Sequence, residues 1–164
     1  MKKHKNQKGF SLIELLVVVA IILIIAAIAI PNLLQARVAA NQASAVSSVR
    51  TINTAMVMYI SNYPTDGFAS TLNALGDTSC APPDSTSACL IDTQLASGTK
   101  TGYTFTLTGI GGPPVPQYFV VAMPVGNSGN ISYCATEDAE IHFDPTGAAI
   151  ADHDSCLALS SLMN

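Results

Sequence analysis

The chain has 164 residues, room for one domain or for a small domain with an appendage. Apolar types make up 49% of it and charged types 11%, which excludes a disordered chain, since disorder goes with high charge and low hydrophobicity. The formal net charge of −4 argues against a nucleic-acid binder, which needs clustered Lys and Arg against phosphate.

The charges are sorted along the chain. Lys2, Lys3, Lys5 and Lys8 hold four of the seven cations, and ten of the eleven acids lie at Asp66 or beyond. Between these ends lies an apolar stretch. A basic start, an apolar run and an acidic remainder is the pattern of a chain that meets a membrane. Phe10 to Ile30 is 21 residues with Ser11 and Glu14 as its only polar members. As a helix it reaches ~32 Å, the thickness of a bilayer core. The lysines in front keep that end in the cytoplasm.

Three readings of this segment compete. A signal peptide cut at Ala27-Ile28-Ala29 would release a soluble binding domain. A signal anchor would never be cut. A cut between Gly9 and Phe10 would leave the apolar segment on the mature chain. Glu14 bears on the choice, because a carboxylate in an apolar segment costs a few kcal/mol unless it finds a partner or water. After a cut at Gly9 the new α-amine of Phe10 supplies a cation that a carboxylate on a neighbouring copy can match. The plain alternative leaves Glu14 solvated near the headgroups.

Lys8-Gly9-Phe10-Ser11-Leu12-Ile13-Glu14-Leu15-Leu16, with the apolar run ending in Ala29-Ile30-Pro31, closely resembles the N-terminus of type IV pilins and of their relatives, the type II secretion pseudopilins. The resemblance covers about residues 8–60. It implies cleavage after Gly9 by a prepilin peptidase and N-methylation of Phe10 by the same class of enzyme. It implies that Glu14 guides docking into a growing filament. It further implies a homo-oligomeric helical filament, raised by a membrane platform and an assembly ATPase. The subunit would wait in the inner membrane and then enter an extracellular pilus, or a periplasmic pseudopilus.

Pro31 removes one helical hydrogen bond and crowds the preceding turn, so a kink or loosening is expected there. Similar pilins are partly melted in this region. From Asn32 to about Ser61 the helix continues. Leu34, Val38, Val46, Val49, Ile52, Met56, Tyr59 and Tyr63 form an apolar stripe, and Ser47, Ser48 and Arg50 lie largely elsewhere. The alanines, among them Ala36, Ala45 and Ala55, make a small face suited to neighbouring subunits. One helix from Phe10 to Ser61 would be ~78 Å long. A head of a hundred residues covers only its second half, so membrane or other subunits must cover the first.

Asn62-Tyr63-Pro64-Thr65-Asp66-Gly67 stops the helix. Residues 68–98 read as loop-rich, with a short helix at Ser70–Leu75. Strands are expected at 103–108, 117–123, 131–136, 140–143 and 148–151, with turns between. The expected fold is α+β: a long N-terminal helix packed on a small antiparallel sheet. The expected segments are a leader at 1–9, a transmembrane or filament-core helix at 10–31, an amphipathic half-helix at 32–61 and a head at 62–164.

Cys80, Cys89, Cys134 and Cys156 read as two disulfides of an oxidising compartment. Three pairings are possible. The pairing Cys80–Cys89 with Cys134–Cys156 closes the shortest loops, and the second bridge resembles the disulfide-bounded loop of many pilins. His142, Asp144, Asp152, His153 and Asp154 cluster in sequence. Asp144, Asp152 and Asp154 are candidate calcium ligands, a property of some similar pseudopilins. Turn chemistry explains the same residues, and no other cofactor is expected. No G-x-S-x-G, P-loop or H-E-x-x-H occurs, so no enzymatic activity is expected.

Overall fold

A computed structural model describes residues 9–76 and 82–162 of the chain. The first element, α1, spans Leu12–Asn62. Compactness divides the chain within this helix, into a unit ending at Ala36 and a unit beginning at Arg37.

Among the described residues of the first unit none is buried. Every residue from Leu12 to Ile25 and from Ala27 to Ala36 is exposed, and only Ala26 is partly covered. Helical hydrogen bonding satisfies the backbone without help from side chains. Pro31 lies inside the helix. It has no N–H to donate to the carbonyl four residues back, yet the helix runs through it.

In the second unit α1 is amphipathic. Ala45, Ser48, Val49, Ile52, Asn53, Ala55, Met56 and Tyr59 are buried, at the three- and four-residue spacings of one helix face. Val49, Ile52 and Met56 follow the expected stripe. Ser48, expected off the stripe, is buried, as are Ala45 and Ala55 from the small face. Small side chains at these positions let the helix approach the sheet closely. The helix stops before Pro64, whose ring disfavours a helical residue in front of it.

The head sheet is a meander of six antiparallel strands in chain order. They are β1 (Thr99–Lys100), β2 (Tyr103–Ile110), β3 (Gln117–Pro124), β4 (Ser132–Thr136), β5 (Ile141–Asp144) and β6 (Ser160–Ser161). Short helices are α2 (Leu72–Leu75), α3 (Thr93–Ala96) and α4 (His153–Leu157). Thr71, Asp92 and Asp152 are the N-caps of these helices, each side chain accepting one of the amides that a helix start leaves free.

The expected α+β fold is the one observed, with differences at its edges. Residues 148–151 form no strand, and the last strand is β6. β1 and β6 have two residues each, too few for an alternation to be seen in sequence. Asp152-His153-Asp154 opens α4, with Asp152 as its N-cap.

Strand alternation sorts the core. Tyr103, Phe105, Leu107, Tyr118, Val120, Ala122, Tyr133, Ala135 and Ile141 share one cluster with the buried residues of α1. Phe119, Val121 and Cys134 face the other way and form a second cluster with Ile150 and Cys156. β3 is therefore apolar on both faces. The second face is covered by the C-terminal segment, tied there by the Cys134–Cys156 disulfide, with Cα atoms 6.0 Å apart. Cys89 is also disulfide-bonded, and Cys80, its expected partner, lies outside the described residues.

Polar groups under the helix find partners, as burial requires. The Tyr118 hydroxyl donates to Asn53 Oδ1 at 3.1 Å, and Asn53 Nδ2 donates to the Ala139 carbonyl at 3.2 Å. The Tyr103 hydroxyl donates to the Ile131 carbonyl at 2.9 Å, and burial pushes its pKa up to about 12. Gly67, at φ +80°, lets the chain turn against the Val115 backbone, with which an added Cβ would collide. The amide of Phe68 donates to the Val115 carbonyl and that of Val115 to the Asp66 carbonyl, fixing the contact.

Candidate functional site

The start of α1 is built locally. The backbone N–H of Ser11 donates to Glu14 Oε2 at 2.9 Å, so Glu14 folds back onto the amide preceding its own helix, as in a capping box. A carboxylate in the first turn also faces the positive end of the helix dipole. Glu14 thus has an intrachain partner, which the sequence reading, looking for a neighbour's amine, did not anticipate. The Ser-x-x-Glu spacing of Ser11 and Glu14 was the available signal.

Gly9 is exposed, and a Cβ added to it would meet nothing within 4 Å. Nothing inside the described chain demands glycine there. Phe10 is 83% exposed. α1 is long and apolar enough to cross a membrane, and its most apolar window has no residue buried within the chain. An aliphatic surface of this extent is not stable in water and marks a contact with lipid or with protein.

The head carries the acids. The three carboxylates considered for calcium are each used locally. Asp144 Oδ1 accepts from the Thr146 hydroxyl at 2.7 Å and its amide at 2.8 Å, which hold its pKa below the usual carboxylate value. Asp152 caps α4, accepting the Ser155 amide at 2.8 Å; Ser155 likewise holds its pKa low. Asp154 Oδ1 lies 3.2 Å from His153 Nδ1 and is otherwise exposed. These three do not assemble into a group of ligands among the described residues.

His153 instead faces Glu137, with Nε2 3.0 Å from Oε2, and Gln117 Nε2 donates to Glu137 Oε1 at 3.0 Å. Burial works against the charge of both His153 and Glu137. Hydrogen bonds outweigh it: those to Glu137 and Asp154 raise the histidine pKa, and those from its own backbone amide, His153 and Gln117 lower the glutamate pKa.

The residues that do converge are Asp138, Glu140 and His142, with one ligand atom from each lying within 4.8 Å of the others. Sequence reading passed over the two acids, although Asp138-x-Glu140-x-His142 places a titratable group at every second residue.

A long helix with an exposed apolar start, followed by one antiparallel sheet with a disulfide-tied C-terminal segment, defines the architecture of pilin-like subunits. The comparisons with known proteins agree. Residues 4–30 match the prokaryotic N-terminal methylation motif. The chain is 68% identical over 37 residues to the type IV wide pilus major component PilA4 of Thermus thermophilus, covering 23% of this chain and 28% of that protein. It is 43% identical over 68 residues to the type II secretion system core protein G of Vibrio cholerae, covering 40% and 47%. It is 39% identical over 73 residues to the type IV major pilin protein PilA of Myxococcus xanthus, covering 44% and 32%. The chain thus matches between about a quarter and a half of the length of these relatives. By this motif and these relatives its N-terminal segment is similar to those of type IV pilins and of a type II secretion pseudopilin.

Proposed function

We propose that the chain is a structural subunit of a type IV pilus, made as a membrane-inserted precursor and polymerised through the N-terminal part of α1. In this reading residues 1–9 are removed, 10–31 form the membrane and filament-core segment, 32–61 bind the head, and 62–164 form the filament surface. The observation that carries it is the fully exposed apolar helix of the first unit, which needs a bilayer before assembly and neighbouring copies after it. Gly9 is compatible with cleavage at that point: it is exposed, and nothing among the described residues crowds it.

Glu14 then has two successive partners. In the isolated subunit it caps its own helix. In the filament it exchanges the Ser11 amide for the α-amine of Phe10 on a neighbour, a charge-assisted bond in place of a neutral donor. No catalytic role is proposed.

A pseudopilin of type II secretion is the second reading. It is favoured by the match to core protein G, which covers the largest share of any of the three relatives. The Cys134–Cys156 tie over the second sheet face favours the pilin. Mass spectrometry of the N-terminal peptide, on shear-released and membrane fractions, separates the two. Methylated Phe10 in the sheared fraction is the expected result. The same peptide confined to the membrane fraction would favour the pseudopilin. A mature start at Ile30 would overturn both in favour of a released soluble domain. Gly9→Val is expected to leave the precursor uncut with its head stability unchanged.

A further inference from the structure

Asp138, Glu140 and His142 lie where β4 turns into β5. His142 sits on β5 opposite Cys134, its cross-strand partner, and is only 6% exposed. Its ring is held from one side. Nδ1 lies 3.0 Å from the Leu159 carbonyl. A carbonyl only accepts, so Nδ1 carries a hydrogen and donates. In the neutral ring that leaves a lone pair on Nε2, pointing out of the core toward the turn.

Among the described residues Nε2 meets a single group, and that group is acidic. Nε2 faces Asp138 Oδ2 at 3.5 Å, beyond the usual N–H···O range of 2.7–3.2 Å. An ionised carboxylate has only acceptors to offer. The other oxygen of Asp138 is already committed, accepting from the Thr136 hydroxyl and from the Glu140 amide, both at 3.0 Å. Oδ2 remains. The carboxylate of Glu140 completes the group within the 4.8 Å span. A buried nitrogen lone pair and two carboxylates therefore converge, and a cation between them resolves the arrangement.

We propose that Asp138, Glu140 and His142 form a binding site for a divalent transition-metal ion of the zinc type. Imidazole nitrogen with carboxylate oxygen suits such ions, whereas calcium takes oxygen ligands and more of them. At zinc bond lengths of 2.0–2.2 Å, ligands at tetrahedral corners stand about 3.4 Å apart. The Asp138–His142 spacing already meets that, and Glu140, exposed, would close the remainder by turning its side chain. The Leu159 carbonyl has the part of an outer partner that fixes the ring tautomer of a metal-bound histidine. The fourth position opens to solvent. Because Leu159 follows Cys156, metal and disulfide would clip the same C-terminal segment to β4 and β5. The site is distinct from the Asp144, Asp152 and Asp154 set and does not depend on the pilin reading.

The test is zinc uptake by the full chain, purified in detergent, stripped with a chelator and dialysed against Zn²⁺. Wild type is expected to retain a stoichiometric equivalent and to melt at a higher temperature with zinc than without. Glu140→Gln, at an exposed position that leaves the core intact, is expected to weaken binding by about tenfold or more. His142→Gln is expected to abolish it, and His153→Gln to leave it unchanged. Nitrogen NMR of the His142 ring is expected to report Nδ1–H with Nε2 on the metal. The proposal is overturned if wild type retains no more zinc than His142→Gln, or if Glu140→Gln binds as wild type does. It is equally overturned if calcium displaces zinc at equal concentration, or if the ring proves doubly protonated with no uptake, the sign of a plain imidazolium–carboxylate pair.

Discussion

Ile24 and Ile52 are the same residue on the same helix, yet the first is 64% exposed and the second fully buried. The two parts of α1 obey different rules. In the second unit Ala45, Val49, Ile52, Ala55, Met56 and Tyr59 pack in one cluster with strand side chains, while Val57 and Met58 on the outer side stay exposed. In the first, isoleucine, leucine and valine go all the way round, and nothing in the described chain covers them. A helix that is apolar all round is stable only when it is surrounded. The head explains itself from its own sequence, whereas the exposed apolar face of the first unit calls for a partner outside the described chain, lipid or protein.

The largest test of that division is all-or-none. Glu14→Ala removes the one carboxylate of the apolar segment together with its capping contact to Ser11. Filaments are expected to disappear from the sheared fraction, while the head melts as in wild type. Normal filaments from this variant would sink the proposed exchange of partners. A changed melting transition would break the division itself.

Next come the paired isoleucines. Ile52→Ala empties a fully buried site and is expected to destabilise the head by about 2–5 kcal/mol. Ile24→Ala, measured by denaturation of the same chain in detergent, is expected to stay within about 0.5 kcal/mol. Equal effects would mean that the first unit has an interior after all.

How far each region was legible follows the same division. The N-terminal segment was read residue by residue because its signal is local and contiguous: Lys8 to Glu14, then an unbroken apolar run. The stripe on the second half of α1 was read from periodicity, but Ser48 and Asn53 were not, because a buried polar residue shows itself only through its partner. For Asn53 that partner is Tyr118, far along the chain. β2 and β3 have eight residues each and announced themselves. The segment at 148–151 looked like a strand because Ile150 is apolar, but its burial comes from lying over the second sheet face. The site at His142 escaped for a related reason: what fixes its ring is a carbonyl from Leu159, which no motif spells out.

The Cys134–Cys156 disulfide sharpens the contrast at a smaller scale. It closes a separation of 22 residues, worth about 3 kcal/mol in the chain-entropy account. Replacing both cysteines by alanine is expected to lower the denaturation midpoint of the head by about that free energy. Membrane insertion and recovery of the first unit should not change. A midpoint equal to wild type would show that packing of Ile150 and Phe119 alone holds the C-terminal segment in place.

The smallest expected effect is on pH, and it too should fall on the head alone, since Glu14 is the only titratable side chain in the described part of the first unit. The His153 pKa is raised above its ordinary 6.5. Its charge therefore stabilises the fold fully below that value, and the contribution is lost as pH rises through the raised one. The Glu137 pKa is lowered from 4.5. Its contribution is full above 4.5 and is lost as pH falls through the lowered value. Their pair should give a plateau of stability between about 4.5 and 6.5 that declines on both sides. Both side chains reach solvent, so the height should stay under about 1 kcal/mol and shrink with added salt. In His153→Gln the decline above the plateau should vanish, while the loss at low pH, which Gln117 and the backbone also cause, should survive in part. If the upper decline persists in that variant, a group other than His153 sets it and the pairing with Glu137 is not its cause.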